Sequence, residues 1–311
     1  MQFAAEVNVV EVGPRDGLQN EDKQVSTKDK IRFIETIAAA GMPRIEITAF
    51  VSPKWIPQLA DGLEVASQLH LPPSTRTLAL VPNMKGYESA KKANLPEVAF
   101  FLSATESHSK KNINKSVAEA VENLKEVAAA ARADGKRIRC YVSVVFVCPY
   151  EGKVAPSAVA DVVSHLLAIG VDEISLGDTI GAAVPSDVTA MVKLLTRDVS
   201  VNKLALHFHD TRGTALANVL AGLDAGVQTF DASVGGLGGC PYAPGAAGNL
   251  ATEDLIYMLH GMGVKTGVDL DKLIDAGSFI QGVLGKNLPG RYLQAALATR
   301  AKAQAAGATI A

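Results

Sequence analysis

Cysteine and net charge are what this 311-residue chain has little of, and each scarcity argues against a class of function. The 3 cysteines, Cys140, Cys148 and Cys240, are odd in number and form no CxxC pair, which argues against a disulfide framework or a structural zinc site and for reduced thiols. A net charge of −2 argues against non-specific nucleic-acid binding, so no nucleic acid is expected as a partner. No apolar run approaches the length of a bilayer span, and the opening MQFAAEVNVVEV lacks a basic region followed by an apolar core. No membrane partner and a cytoplasmic location are therefore expected. No stretch rich in Pro, Gly or Ser divides the chain, and no dinucleotide-binding glycine fingerprint is recognisable. With 48% apolar residues, the chain reads as one soluble catalytic-size domain.

What is present is a repeated alternation. Eight short β-rich runs occur at 7–12, 44–50, 75–82, 98–104, 137–146, 172–178, 204–210 and 229–236. Between them lie helical stretches such as TKDKIRFIETIAAAG, SVAEAVENLKEVAAAARADG and PSAVADVVSHLLAIG, each ending on a glycine suited to close a helix. Eight βα units over residues 7–262 predict an α/β fold, a (β/α)8 TIM barrel, with extra C-terminal helices at about 268–305. A doubly wound sheet alternates in the same way, but eight consecutive units favour the barrel.

In such a barrel the chemistry gathers at the C-terminal ends of the strands. The seventh run, LALHFHD, is the sharpest signal: His207 and His209 share one face of a strand, while Leu204, Leu206 and Phe208 share the other. The apolar face would pack on helices and both imidazoles would point into the barrel mouth. The same rim receives Glu11, Arg15 and Asp16 after the first run, Glu46 in the second, Tyr141 and Ser143 in the fifth, Asp178 in the sixth, and Cys240 and Asn249 beyond the eighth. Each has an ordinary reading too. Asp16 suits a turn, Asn249 a helix N-cap, Glu46 a buried partner for arginine, and Cys240 a small apolar position. Together, a carboxylate, two imidazoles and an amide oxygen form a mixed nitrogen and oxygen set that suits Mg2+ or Mn2+.

The stretches VEVGPRDGLQNE (10–21), EITAFVSPKWIPQLAD (46–61), SLGDTIG (175–181), HFHDTRG (207–213) and GGLGGCPYAPGAAGNLATED (235–254) resemble 3-hydroxy-3-methylglutaryl-CoA lyase over nearly the whole chain. The R-D-G and H-x-H pieces are shared with isopropylmalate synthase, homocitrate synthase and 4-hydroxy-2-oxovalerate aldolase; the cysteine-bearing glycine loop points to the lyase. Synthases of this group usually carry RDGEQ where this chain has RDGLQ. Ala49 stands where the lyase strand is expected to hold a serine. The resemblance implies divalent-metal-assisted cleavage of 3-hydroxy-3-methylglutaryl-CoA to acetoacetate and acetyl-CoA, as in leucine degradation and ketone-body formation. It implies Asp16, His207, His209 and Asn249 as metal ligands, with Asp16 or His207 handling the hydroxyl proton. Arg15 would face the thioester oxygen, Glu46 and Asp178 would orient Arg15 or the metal-bound groups, and Cys240 would close over the substrate and assist proton delivery. Tyr141 is a substrate contact, and Lys110 and Lys111 are candidates for the CoA phosphates, although a solvated lysine pair accounts for them equally well. A Claisen-type synthase or aldolase of the same superfamily, or a non-catalytic acyl-CoA-binding barrel, remain as alternatives, and a homodimer or higher homo-oligomer is compatible with the sequence.

Overall fold

The computed structural model describes residues 3–239 and 248–306. Eight parallel strands close on themselves: β1 (Asn8–Glu11), β2 (Arg44–Ala49), β3 (Arg76–Leu80), β4 (Glu97–Ser103), β5 (Arg137–Ser143), β6 (Glu173–Asp178), β7 (Leu204–Phe208) and β8 (Thr229–Ala232). Their order around the barrel is β1-β8-β7-β6-β5-β4-β3-β2, so each strand pairs with its sequence neighbours and β1 pairs with β8. Every run expected to be a strand is one.

The helices form where the sequence supplies start and stop signals. Helix α1 (Thr27–Ala39) begins on Ser26, whose side chain accepts from the Asp29 N–H, and α5 (Val117–Ala133) begins on a Ser116/Glu119 capping box. The glycines expected to end three helices, Gly41, Gly135 and Gly170, all adopt positive φ. Helices α2 (Gly62–Gln68), α3 (Met84–Lys92), α4 (Glu106–Ile113), α6 (Pro156–Ala168), α7 (Pro185–Leu195), α8 (Ala215–Asp224) and α9 (Thr252–Gly261) complete the outer ring. Beyond them, α10 (Leu270–Leu284) packs along α1, with the Arg32 guanidinium 4.4 Å above the Phe279 ring, and α11 (Arg291–Ala305) follows. No helix among the described residues is long and apolar enough to cross a membrane.

Two strands, the fifth and the eighth, end well before their sequence runs do. The fifth run stops at Ser143 because Val144 takes φ +56 and turns its N–H to the Thr179 hydroxyl (2.8 Å). A β-branched residue rarely adopts that conformation, and here it sits at the barrel mouth. The eighth run stops at Ala232 and becomes a tight turn, Val234–Gly236, with Gly235 and Gly236 at φ 65 and 72. The connection into α11 braces this turn: Gly290 donates to the Gly235 carbonyl (2.8 Å), and a Cβ on Gly235 would fall 2.4 Å from Leu288 Cδ1.

The apolar core lies mostly between strands and helices, where Leu206, Phe208 and Phe230 are buried. A smaller cluster fills the barrel itself: Val10, Val12, Ala49, Leu78, Leu80, Ala99 and Tyr141. The floor of the barrel, toward the N-terminal ends of the strands, is charged. Arg44 bridges Glu97 and Glu173 there, and Arg139, with no solvent exposure, bridges Glu173 and Asp231.

Candidate metal centre at the barrel mouth

The segment GPRDG after β1 folds as one wide turn, Gly13–Gly17, in which the N–H groups of Arg15, Asp16 and Gly17 all converge on the Val12 carbonyl. This turn projects Arg15 and Asp16 over the mouth. Its glycines are sterically required. A Cβ at Gly17 would lie 2.8 Å from Leu237 Cβ, and one at Gly13 would lie 2.5 Å from Glu11 Oε1. Two strands along the barrel from the turn, the alternation of β7 turns Leu206 and Phe208 to the helices and His207 and His209 inward, as the sequence pattern requires. Their rings lie 5.3 Å apart between centroids. The chain then returns along the end of β7: Asp210 N donates to Gly248 O and Leu250 N to Phe208 O, which seats Asn249 beside His209.

Asp16, His207 and His209 thus each offer a ligand atom within 4.8 Å of the others. The Asn249 amide is oriented by two acceptors, since its Nδ2 donates to Asp16 Oδ2 (2.9 Å) and to the Leu237 carbonyl (3.0 Å). That leaves Asn249 Oδ1 buried without a partner among the described residues, and His209 Nδ1 is in the same condition. Buried acceptors left without donors are costly, and a cation is the partner this donor set fits. Burial works against the charged form of Asp16, but the Arg15 guanidinium and both imidazoles outweigh it and hold its pKa at about 2. Burial and the neighbouring His207 push His209 down to about 4, so it is neutral and able to ligate at pH 7. Burial also opposes charging of His207, yet Asp231 overrides it and raises the pKa.

Arg15 is locked in place. Its Nε and Nη2 both lie 2.7 Å from Glu46 Oε2, and its Nη1 lies 2.6 Å from Asp16 Oδ1. The Tyr141 ring sits 5.2 Å from the guanidinium carbon, and the Tyr141 hydroxyl donates to Glu46 Oε2 (3.0 Å). Tyr141 therefore supports the Arg15–Glu46 pair rather than offering its hydroxyl outward. Asp178 departs from its expected place beside Arg15 or the ligands. The inward position near the end of β6 is Gly177, and both Asp178 oxygens accept from the loop, Oδ1 from Ala182 N (2.9 Å) and Oδ2 from Ala183 N (3.0 Å). Glu11 faces the helices, accepting from Gly13 N, Val234 N and the Thr252 hydroxyl. Lys110 and Lys111 are exposed in the last turn of α4, with Lys111 Nζ 5.4 Å from the Tyr150 ring centre. Cys240 lies outside the described residues.

One residue at the site was absent from the sequence reading. Asp231 in β8 accepts from the Ser175 hydroxyl (2.7 Å), and its Oδ2 lies 3.3 Å from His207 Nδ1. Its signal was the alternation of β8, which places Thr229, Asp231 and Ser233 on the inner face. Asp231 lies within the strand rather than in the loop that follows it.

A closed eight-stranded barrel with an acid, two imidazoles and an amide oxygen at its mouth defines a (β/α)8 protein of the metal-site class. A family model described as HMGL-like matches residues 6–280. The chain is 50% identical to the mitochondrial hydroxymethylglutaryl-CoA lyase of Bos taurus over 293 residues, covering 94% of this chain and 90% of that one. It is 48% identical to the Bacillus subtilis hydroxymethylglutaryl-CoA lyase over 294 residues, covering 94% and 98%. The solved structure of the Bacillus subtilis HMG-CoA lyase is similar with a TM-score of 0.93 over 95% of this chain and 99% of that one, at 48% identity. An HMG-CoA lyase of Acinetobacter baumannii, solved in complex with coenzyme A and 3-methylmalate, is similar with a TM-score of 0.90 at 39% identity, covering 95% and 96%. The chain belongs to the HMGL-like family, among its hydroxymethylglutaryl-CoA lyases.

Proposed function

We propose that this protein cleaves 3-hydroxy-3-methylglutaryl-CoA to acetoacetate and acetyl-CoA, with Asp16, His207, His209 and Asn249 holding a Mg2+ or Mn2+ ion. The observation that carries the reading is the meeting of Arg15 and Asp16 from the first loop with His207, His209 and the Oδ1 of Asn249, which has no partner among the described residues. When bound, the ion supplies a Lewis acid that acidifies and orients the tertiary hydroxyl of the substrate.

The protein's own groups meet the remaining demands. Asp16 Oδ2 and His207 Nε2 lie 4.0 Å apart, so one hydroxyl can reach either. Asp16, held at about 2, is the weaker base, and His207 can accept the proton at Nε2 only when that lone pair is not on the ion, since its Nδ1 faces Asp231, so Asp16 or His207 would take the proton. As the carbon–carbon bond breaks, negative charge moves onto the thioester oxygen. Glu46 and Asp16 occupy three of the five N–H groups of Arg15, and the remaining two can donate to that oxygen. Glu46 and the Tyr141 ring hold the guanidinium against reorganisation during the reaction. Cys240 would then deliver a proton to the acetyl carbanion from the glycine-rich segment. Lys110 and Lys111 would meet the CoA phosphates. We place the protein in the cytoplasm, as the sequence reading expects; the bovine relative is named mitochondrial.

Acetoacetate release from this thioester, with and without EDTA, tests the proposal. Chelation should abolish turnover, and Mg2+ or Mn2+ should restore it better than Zn2+, whose sites favour thiolate and imidazole. Full activity in metal-free protein would remove the metal from the mechanism. Condensation of acetyl-CoA with a 2-oxo acid, with no acetoacetate released from 3-hydroxy-3-methylglutaryl-CoA, would instead establish the synthase alternative.

A further inference from the structure

Below the candidate metal centre, the barrel interior holds a ladder of charges that the proposed chemistry does not use. Arg44, Arg137 and Arg139 face Glu97, Glu173 and Asp231 there. Replacing buried ion pairs by well-packed apolar side chains is often neutral or stabilising, so stability alone gives little reason for this ladder. Arg139 is the member that joins floor to mouth. Its Nη1 donates to Glu173 Oε1 (2.5 Å) and its Nη2 donates to Asp231 Oδ1, while its Cζ lies 5.0 Å from the Tyr141 ring centre. The other oxygen of Asp231 accepts from Ser175 and faces His207 Nδ1.

We propose that Arg139 is a positioning residue for the metal centre, acting from the barrel floor through Asp231 to fix the ring of His207. Its fork holds one oxygen of the Asp231 carboxylate, and this sets the plane in which the other oxygen meets Nδ1. A carboxylate is acceptor-only, so His207 presents Nδ1–H to it and keeps the Nε2 lone pair for the mouth. Asp16 lies on that Nε2 side, 4.0 Å away. Without Arg139, a fully buried carboxylate would keep only a neutral hydroxyl and the imidazole as partners. It would then turn or take up a proton, releasing the orientation it imposes on the ring.

This inference rests on His207 being a metal ligand, so the test measures metal affinity without substrate. Mn2+ binding is titrated by calorimetry or electron paramagnetic resonance for the parent chain, Arg139→Gln, Asp231→Asn and the double variant, each first shown to be folded by circular dichroism and thermal melting. Loss of a partner that orients a ligating histidine typically weakens metal binding about 10- to 100-fold. Both single variants should raise the Mn2+ Kd by about 10-fold or more, and the double variant should be no weaker than the worse single one, because both act on the same ring. Where Arg139→Gln does not fold, Arg139→Lys decides. It retains the charge but cannot reach both carboxylates with a rigid fork, and it should raise the Kd by more than about 3-fold. A folded Arg139 variant whose Kd stays within about 3-fold of the parent would overturn the proposal, and so would effects that add fully in the double variant. A parent chain that binds no Mn2+ at all would instead overturn the metal-site reading, and this inference with it.

Discussion

Arg15→Gln separates charge stabilisation from substrate binding more cleanly than any other change at the mouth. The guanidinium is held at 2.6–2.7 Å from two carboxylates before substrate arrives, so it needs no reorganisation when charge develops on the thioester oxygen. Removing one such preorganised donor typically lowers kcat by about 10²- to 10³-fold. At about 1.36 kcal/mol per factor of ten, that is roughly 3–4 kcal/mol of lost transition-state stabilisation. Glutamine retains a donor for Glu46 but carries no charge, so KM should change little while kcat falls. The same substitution leaves Glu46 and Asp16 without their cation, and breaking a buried pair costs about 3–5 kcal/mol of stability. Rates must therefore be normalised to the folded fraction measured by thermal melting. Steady-state acetoacetate release at saturating Mg2+ gives both constants, and Arg15→Lys should recover only part of kcat because an ammonium cannot reproduce the three contacts. A normal kcat with a raised KM would refute the argument and put Arg15 on the CoA or the distal carboxylate.

Three further outcomes are expected. Burial raises the pKa of Glu11 from 4.5 to about 7, so the folded protein binds a proton there that the unfolded chain releases; this stability is present below pH 4.5 and lost as pH rises through 7, and Glu11→Gln should flatten the fall in Tm over that window. A Tm profile of Glu11→Gln that matches the parent from pH 4.5 to 8 would contradict it. Gly17→Ala forces a methyl to within 2.8 Å of Leu237 Cβ, and overpacking of this kind costs about 1–3 kcal/mol, so the variant should melt earlier and bind Mn2+ more weakly, as melting curves and metal titration would show. Cys140 and Cys148 have 0% and 1% exposure, so iodoacetamide should modify Cys240 first, with loss of activity and protection by substrate; peptide mapping showing fast labelling of either buried thiol would contradict this.

The barrel was legible because its evidence is periodic. Each strand is a short apolar run, most helices close on a glycine or asparagine at positive φ, and eight repeats leave few alternatives. The histidines were legible for the same reason: alternation alone orients His207 and His209 toward the axis. At Asp178 the periodic pattern no longer decides the outcome. Asp178 ends its strand in the sequence as His209 follows its own, yet it falls on the other parity and serves the loop backbone instead. Strand register and the turn after Gly177 decide that, and neither is written in the local pattern. Asp231 and Arg139 were passed over for the opposite reason. Their inward parity is plain in TFDAS and RIRCYVS, but charged residues deep in a barrel oppose the usual expectation of an apolar interior. Only the pairing of Arg139 with Asp231 and Glu173 across three strands explains how they are tolerated.

The distribution of charge inside the barrel gives the two ends different tasks. On the floor, Arg44, Arg137 and Arg139 balance Glu97, Glu173 and Asp231, so that zone is compensated by its own residues. At the mouth, Arg15 stands against two carboxylates, Asp16 and Glu46, so with both ionised a negative charge remains among walls that exclude most solvent. In a low-dielectric site such an excess attracts a cation strongly. Two of the groups that would receive it need lose no proton at pH 7, since Asp16 is held at about 2 and His209 at about 4. Asn249 adds a neutral oxygen that no donor among the described residues satisfies. A compensated floor thus gives His207 a fixed anchor, while the uncompensated mouth reserves its unmet interactions for an ion and a substrate oxygen.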